Sequence, residues 1–181
     1  MHVSLTADFS ASPTSGAPPL AVTSSNLSSG DYDECLWDFG DGGSSTVCQD
    51  PSHTYSSPGT FTVSLTVEGP GVTDTKTRTD YITVFEPPKA DFSASPETGV
   101  PPLEVVFTNL SSGDFDQCLW DFGDGGTSTI CDDPEHEFRN EGEYTVTLTV
   151  NGPGGEDTKT DEGCVGIAYY RLFLPVLLNS D

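Results

Sequence analysis

The sequence predicts an all-β protein built from two tandem antiparallel β-sandwiches. Three observations predict it: one long internal repeat, strands of period-2 alternation, and turn clusters between them. Cys35-Leu36-Trp37-Asp38-Phe39-Gly40-Asp41-Gly42-Gly43 returns as Cys118-Leu119-Trp120-Asp121-Phe122-Gly123-Asp124-Gly125-Gly126, an offset of 83 residues. The offset holds without a gap from Ala7/Ala90 to Ile82/Val165. A unit of about 80 residues is too long for a solenoid repeat and long enough to be a domain.

The strands come next. Phe61, Val63, Leu65 and Val67 alternate with Thr and Ser, as do Tyr144, Val146, Leu148 and Val150. Such alternation puts one face on a core and the other in water. Ala7, Phe9 and Ala11 repeat the pattern, with Ala90, Phe92 and Ala94. Between them lie turn clusters such as Ser12-Pro13, Pro18-Pro19, Ser28-Ser29-Gly30-Asp31, Pro58-Gly59 and Gly69-Pro70-Gly71. Short strands with regular turns predict a sandwich, and no segment carries a helical period. The domains are placed at 1–86 and 87–168, with a tail at 169–181. Phe85-Glu86-Pro87-Pro88-Lys89 joins them, and its Pro-Pro pair predicts a stiff link and a rod.

Composition excludes several functions. There are 29 Asp+Glu against 6 Lys+Arg, a formal net charge of −23. Such a polyanion repels phosphate backbones and anionic membranes, so nucleic acid is excluded as a partner. No run reaches the ~18 apolar residues that span a bilayer, so no membrane span is expected. The N-terminal residues show no basic-then-apolar leader pattern.

Each unit carries two cysteines thirteen apart, Cys35/Cys48 and Cys118/Cys131. With Gly40–Gly43 as a hairpin loop, Phe39 faces Ser44, Trp37 faces Thr46 and Cys35 faces Cys48. Directly opposed residues lie within disulfide reach. The same register works in the second unit, so a disulfide is expected in each. Closing a loop of this size stabilises by roughly 3 kcal/mol. Disulfides imply an oxidising compartment, hence an extracellular, secreted or cell-surface protein. The other readings are reduced thiol pairs or a metal site, the latter lacking a His at ligand spacing.

Trp-Asp-Phe-Gly-Asp-Gly, followed by His53-Thr54-Tyr55-Ser56-Ser57-Pro58-Gly59-Thr60-Phe61-Thr62-Val63, resembles the polycystic kidney disease (PKD) domain family. The second unit repeats it with Glu137-Phe138 and Glu141-Gly142-Glu143-Tyr144, departing at Asn140-Glu141. The resemblance covers nearly all of residues 5–168. It implies an immunoglobulin-like sandwich with Trp37 and Trp120 in the cores, and no catalytic activity. It also implies a setting in surface-layer proteins, adhesins or appendages of secreted proteases and chitinases.

The residues themselves carry no enzyme motif. The three histidines are His2, His53 and His136, and none sits in a His-Glu-x-x-His helix. Asp31/Asp33 and Asp114/Asp116 place carboxylates at i and i+2 in loops, a pattern that serves calcium or merely favours a turn. No cofactor is required; calcium is the ion these residues would take. Asn26-Leu27-Ser28 and Asn109-Leu110-Ser111 are glycosylation acceptor sequences. Cys164 stands where the first unit has Tyr81, and reads either as a small buried residue or as an intermolecular thiol.

The tail departs from the repeat. Tyr169, Tyr170, Leu172, Phe173, Leu174, Val176, Leu177 and Leu178 form the most apolar stretch of a polar chain. Exposed, it would aggregate, so it is expected to fold back, extend the last strand, or add as an extra strand to a neighbour's sheet. The leading expectation is a non-catalytic extracellular structural protein. It assembles with copies of itself, through this segment, into a filament or surface layer. The alternative is an adhesion module for glycan or protein, cut from a larger adhesin or secreted hydrolase.

Overall fold

The computed structural model describes residues 4–169. The chain divides into two compact units with no helix among the described residues. The first holds β1 (Phe9–Ser12), β2 (Ser15–Gly16), β3 (Leu20–Asn26), β4 (Glu34–Asp38), β5 (Ser44–Ser45), β6 (Ser52–Tyr55), β7 (Gly59–Gly69) and β8 (Val72–Val84). The second repeats them as β9 (Phe92–Ser95), β10 (Thr98–Gly99), β11 (Leu103–Asn109), β12 (Gln117–Asp121), β13 (Thr127–Ser128), β14 (Glu135–Phe138), β15 (Gly142–Gly152) and β16 (Gly155–Ile167). In each unit a three-stranded sheet, β1-β3-β6 or β9-β11-β14, faces a five-stranded one, β2-β8-β7-β4-β5 or β10-β16-β15-β12-β13. This is the sandwich expected from the alternation and turns, with the immunoglobulin-like form that the PKD resemblance implies.

One feature escaped the alternation. Ser15–Gly16 and Thr98–Gly99, read as part of a turn region, form short strands parallel to β8 and β16. The first strand of each domain therefore serves both sheets, crossing between them at Pro13 or Pro96, where a proline costs no ladder hydrogen bond.

The inward residues of the alternating strands form the core. Val63, Leu65, Val67 and Ile82 are fully buried with Phe9 and Trp37. Phe9 meets Trp37 edge-on at 5.3 Å, and Phe39 stacks on His53 at 4.2 Å, which meets Tyr55. The second domain repeats this column with Phe92, Trp120, Phe122, His136 and Phe138.

The hairpin register differs from the one expected. Trp37 pairs with Ser45 and Asp38 with Ser44, one residue away from the sequence-derived pairing, and Trp120 and Asp121 do the same with Ser128 and Thr127. The loop is three residues, Gly40-Asp41-Gly42, closed by Phe39 N–H donating to Gly43 O at 3.1 Å. Gly40 and Gly42 adopt φ of 83° and 92°, and the Asp38 and Asp41 carboxylates accept the Gly40 and Gly43 amides at 2.9 Å each. The ladder stops after Ser45, because the Trp37 indole donates to Val47 O at 2.9 Å. Beyond that point Cys48, not Val47, returns to Cys35.

These two glycines are not equivalent. A side chain at either needs a left-handed backbone, costing about 1–2 kcal/mol. At Gly42 the space is open, whereas a Cβ on Gly40 would run into Thr62 O. Urea unfolding should therefore find Gly42→Ala mildly destabilising and Gly40→Ala clearly worse; equal losses would refute this account of the turn.

Candidate functional site

The disulfides lock the hairpins. Cys35–Cys48 and Cys118–Cys131 are joined, with Cα–Cα separations of 5.1 and 5.2 Å. The sequons attach to the same feature. Asn26 Nδ2 donates to Cys48 O at 2.7 Å while its Oδ1 accepts the Ser28 amide at 2.9 Å. Asn109 repeats this on Cys131 O and Ser111. Both asparagines thus brace the disulfide loop, which accounts for their presence without a glycan.

His53 and His136 hold the turn. His53 Nε2 lies 2.7 Å from Asp41 Oδ2, and His136 Nε2 lies 2.9 Å from Asp124 Oδ2. Among the described residues no three His, Cys, Asp or Glu side chains gather into a group that could hold a metal. Asp31, Asp33, Asp114 and Asp116 are exposed and belong to no such cluster. Among the described residues no helix is long and apolar enough to cross a membrane.

Cys164 is unpaired and half-buried. Burial, then the charges of Asp161 and Glu97, push its thiol up to about 11, so it is protonated and a poor nucleophile at neutral pH. Its small size has a packing reason. In the first domain Tyr81 packs on Phe9 and its hydroxyl accepts the Ala11 amide, next to buried Ser24. In the second, the position of Ser24 is Phe107, fully buried against Phe92 and Trp120. The second domain thus carries its large side chain on β11, at Phe107, where the first carries Tyr81 on β8, and the smaller Cys164 stands at the β16 position.

The outer face of the five-stranded sheet carries a concavity at the same place in each domain. In the first, Leu36 is 51% exposed between Thr46, Thr66, Glu34 and Glu68, beside the disulfide, around about 280 Å³. In the second, Leu119 is 50% exposed among Thr129, Thr149, Gln117 and Asn151, around about 330 Å³. Thr66 and Thr75 hydroxyls share a hydrogen bond of 2.9 Å across β7 and β8, as do Thr149 and Thr158, so these threonines are ordered. In the sequence Leu36 and Leu119 figure only as members of the repeated motif, and neither is singled out as functional there.

A third concavity, about 550 Å³, lies where the chain leaves β16, lined by Thr98, Gly99, Glu143, Ile167 and Ala168 among others. Tyr169 follows, 60% exposed. Tyr170, Leu172, Phe173, Leu174, Val176, Leu177 and Leu178 lie outside the described residues.

Fold, hairpin and disulfides define a pair of immunoglobulin-like modules. The model of the PKD domain matches residues 4–84 and again 86–165, so the chain belongs to the PKD domain family. Collagenase ColA of Bacillus cereus is 38% identical over 68 residues, 35% of this chain and 7% of the relative. Human polycystin-1 is 34% identical over 128 residues, 66% of this chain and 3% of the relative. The chain thus spans only a small fraction of these proteins. A titin I-band fragment matches with a TM-score of 0.59 at 12% identity, covering 90% of this chain and 63% of that one, a likeness of fold alone.

Burial alone would raise the Asp41 and Asp124 carboxyls. The hydrogen bonds from His53 or His136 and from the Gly43 or Gly126 amide, with the imidazole charge, outweigh it and hold both below the ordinary 3.8. A carboxyl lowered in the folded state stabilises above its unfolded pKa, and that contribution is lost as pH falls through the folded one. Melting temperatures of wild type and Asp41→Asn/Asp124→Asn should therefore differ at neutral pH and converge as pH falls below the ordinary 3.8. A gap independent of pH would contradict this.

Proposed function

We propose that this chain is an extracellular, non-catalytic binding module, of the kind that accompanies the catalytic part of a secreted hydrolase. It holds a polymeric substrate through the outer sheet faces. Its two domains, near 1–86 and 87–168, act in series. The observation that carries this reading is the twofold groove: the same exposed leucine, disulfide and threonine rim occur in both domains. Single exposed leucines are unremarkable, but two grooves of one design on one chain allow avidity. The disulfides support an oxidising, extracellular location. The collagenase relative supports a hydrolase context.

Co-sedimentation with insoluble fibrillar collagen, chitin and cellulose tests this. The chain should pellet with at least one, and Leu36→Asp/Leu119→Asp should reduce retention about tenfold or more, since charge replaces the apolar contact on both modules. Retention on none would overturn the module reading.

A second reading is favoured by the large concavity beside Ala168, next to exposed Tyr169. In it the tail, Tyr169 to Leu178, joins copies of the chain into a filament or layer. Negative-stain microscopy of the full chain beside a version ending at Ala168 should then show filaments in the former alone. Monomers in both would remove this reading.

A further inference from the structure

The two domains diverge around one concavity that the twofold groove does not include. In the first domain Asn26, Tyr32, Val47, Cys48, Gln49 and Asp50 line about 440 Å³, a volume in the range of small-ligand sites. Much of its frame is braced. The disulfide holds Cys48, Asn26 Nδ2 holds Cys48 O, Trp37 Nε1 holds Val47 O, and the Asn26 amide donates to Asp50 Oδ1 at 3.1 Å. Tyr32 packs against the core on one side and lines the concavity on the other. A site held this rigidly loses little freedom on binding.

The second domain keeps the frame. Asn109 still holds Cys131 O, Trp120 still holds Ile130 O, and the Asn109 amide still donates to Asp133 Oδ1 at 3.0 Å. The wall and rim, however, change chemistry. Tyr32 becomes Phe115, Val47 becomes Ile130 and Gln49 becomes Asp132. The first site thus offers an aromatic ring with a hydroxyl, an exposed apolar side chain at Val47, an amide that both donates and accepts, and the second oxygen of a fixed carboxylate. The matching positions of the second repeat offer a ring without a hydroxyl and two adjacent carboxylates.

From this juxtaposition we infer that the Tyr32–Gln49–Asp50 concavity of the first domain is a subsite for a neutral oligosaccharide. A sugar ring has a face of C–H groups that packs on an aromatic ring, and a rim of hydroxyls. Gln49 and Asp50 meet such hydroxyls with a donor and acceptors. A net charge of −23 disfavours sulfated or uronic-acid glycans. This deepens the module reading by naming a substrate class, and it uses a different surface from the leucine grooves.

The second domain supplies the variants. Tyr32→Phe and Gln49→Asp each install a residue that the same frame already accommodates there, so a loss of binding is not a loss of fold. The full chain, made in a host that does not glycosylate Asn26, is titrated with soluble chitohexaose, cellohexaose, laminarihexaose and mannohexaose. Binding is followed by the backbone amide signals. At least one hexasaccharide should shift the amides of Tyr32 and Cys48–Asp50. Tyr32→Phe and Gln49→Asp should each weaken it roughly tenfold, and Phe115→Tyr should leave it unchanged. The assignment falls if no hexasaccharide binds, or if binding survives both first-domain variants at full strength. It also falls if the shifted amides lie around Phe115. Retention on insoluble collagen without hexasaccharide binding would keep the module reading while removing this site.

Discussion

The hydrogen bond from the Trp37 indole to Val47 O, matched by Trp120 to Ile130 O, organises each domain. A fully buried indole needs a partner for its N–H, or it carries a desolvation cost of about 1–3 kcal/mol. Its partner here is a main-chain carbonyl just past β5. That choice ends the strand after two residues and displaces the register. It also brings Cys48 to Cys35 and leaves Val47 with its side chain in solvent. The braced loop, the disulfide and the concavity beside Tyr32 all follow from where this carbonyl must stand.

The acidic surplus has two populations. Some aspartates are structural. Asp74 and Asp157 accept the Ala7 and Ala90 amides at 2.7 Å each, Asp50 and Asp133 accept the Asn26 and Asn109 amides, and Asp41 and Asp124 hold the histidines. Two of the scarce cations are structural as well. Arg78 reaches Asp8 and Phe9 O over the Phe9 ring, and Lys159 reaches Asp91 and Phe92 O over the Phe92 ring. They occupy different repeat positions yet clamp the same strand, so geometry, rather than sequence position, was preserved. Most other carboxylates face solvent, where like charge keeps copies of a chain apart.

The copies diverge in two ways. Inside, changes are compensated: Ser24 with Tyr81 becomes Phe107 with Cys164, because a close-packed core must fill its volume. At the surface beside Tyr32 nothing demands compensation, and there the copies differ in hydrogen-bonding character. The odd cysteine stands at one of these exchanged positions, half-buried and with its thiol pKa raised by burial.

Much of this was legible in the chain. The repeat fixed the number of domains, and period-2 alternation identified the β-sheet faces and the core, since a strand buried on one face leaves no other pattern. The cysteine spacing pointed to the disulfides although the inferred register was off by one, because Cys35 and Cys48 meet just beyond the ladder rather than within it. Three things were not legible. The short parallel strands Ser15–Gly16 and Thr98–Gly99 carry too few residues to show a period, and their partners lie more than sixty positions away. The roles of Asn26 and Asn109, which read as acceptor sequences, depend on a carbonyl 22 residues distant. The concavity beside Tyr32 gathers residues from three separate segments. Local pattern sets which face of a strand is buried; which distant polar groups meet, and what space they leave between them, is decided only when the two sheets close on each other.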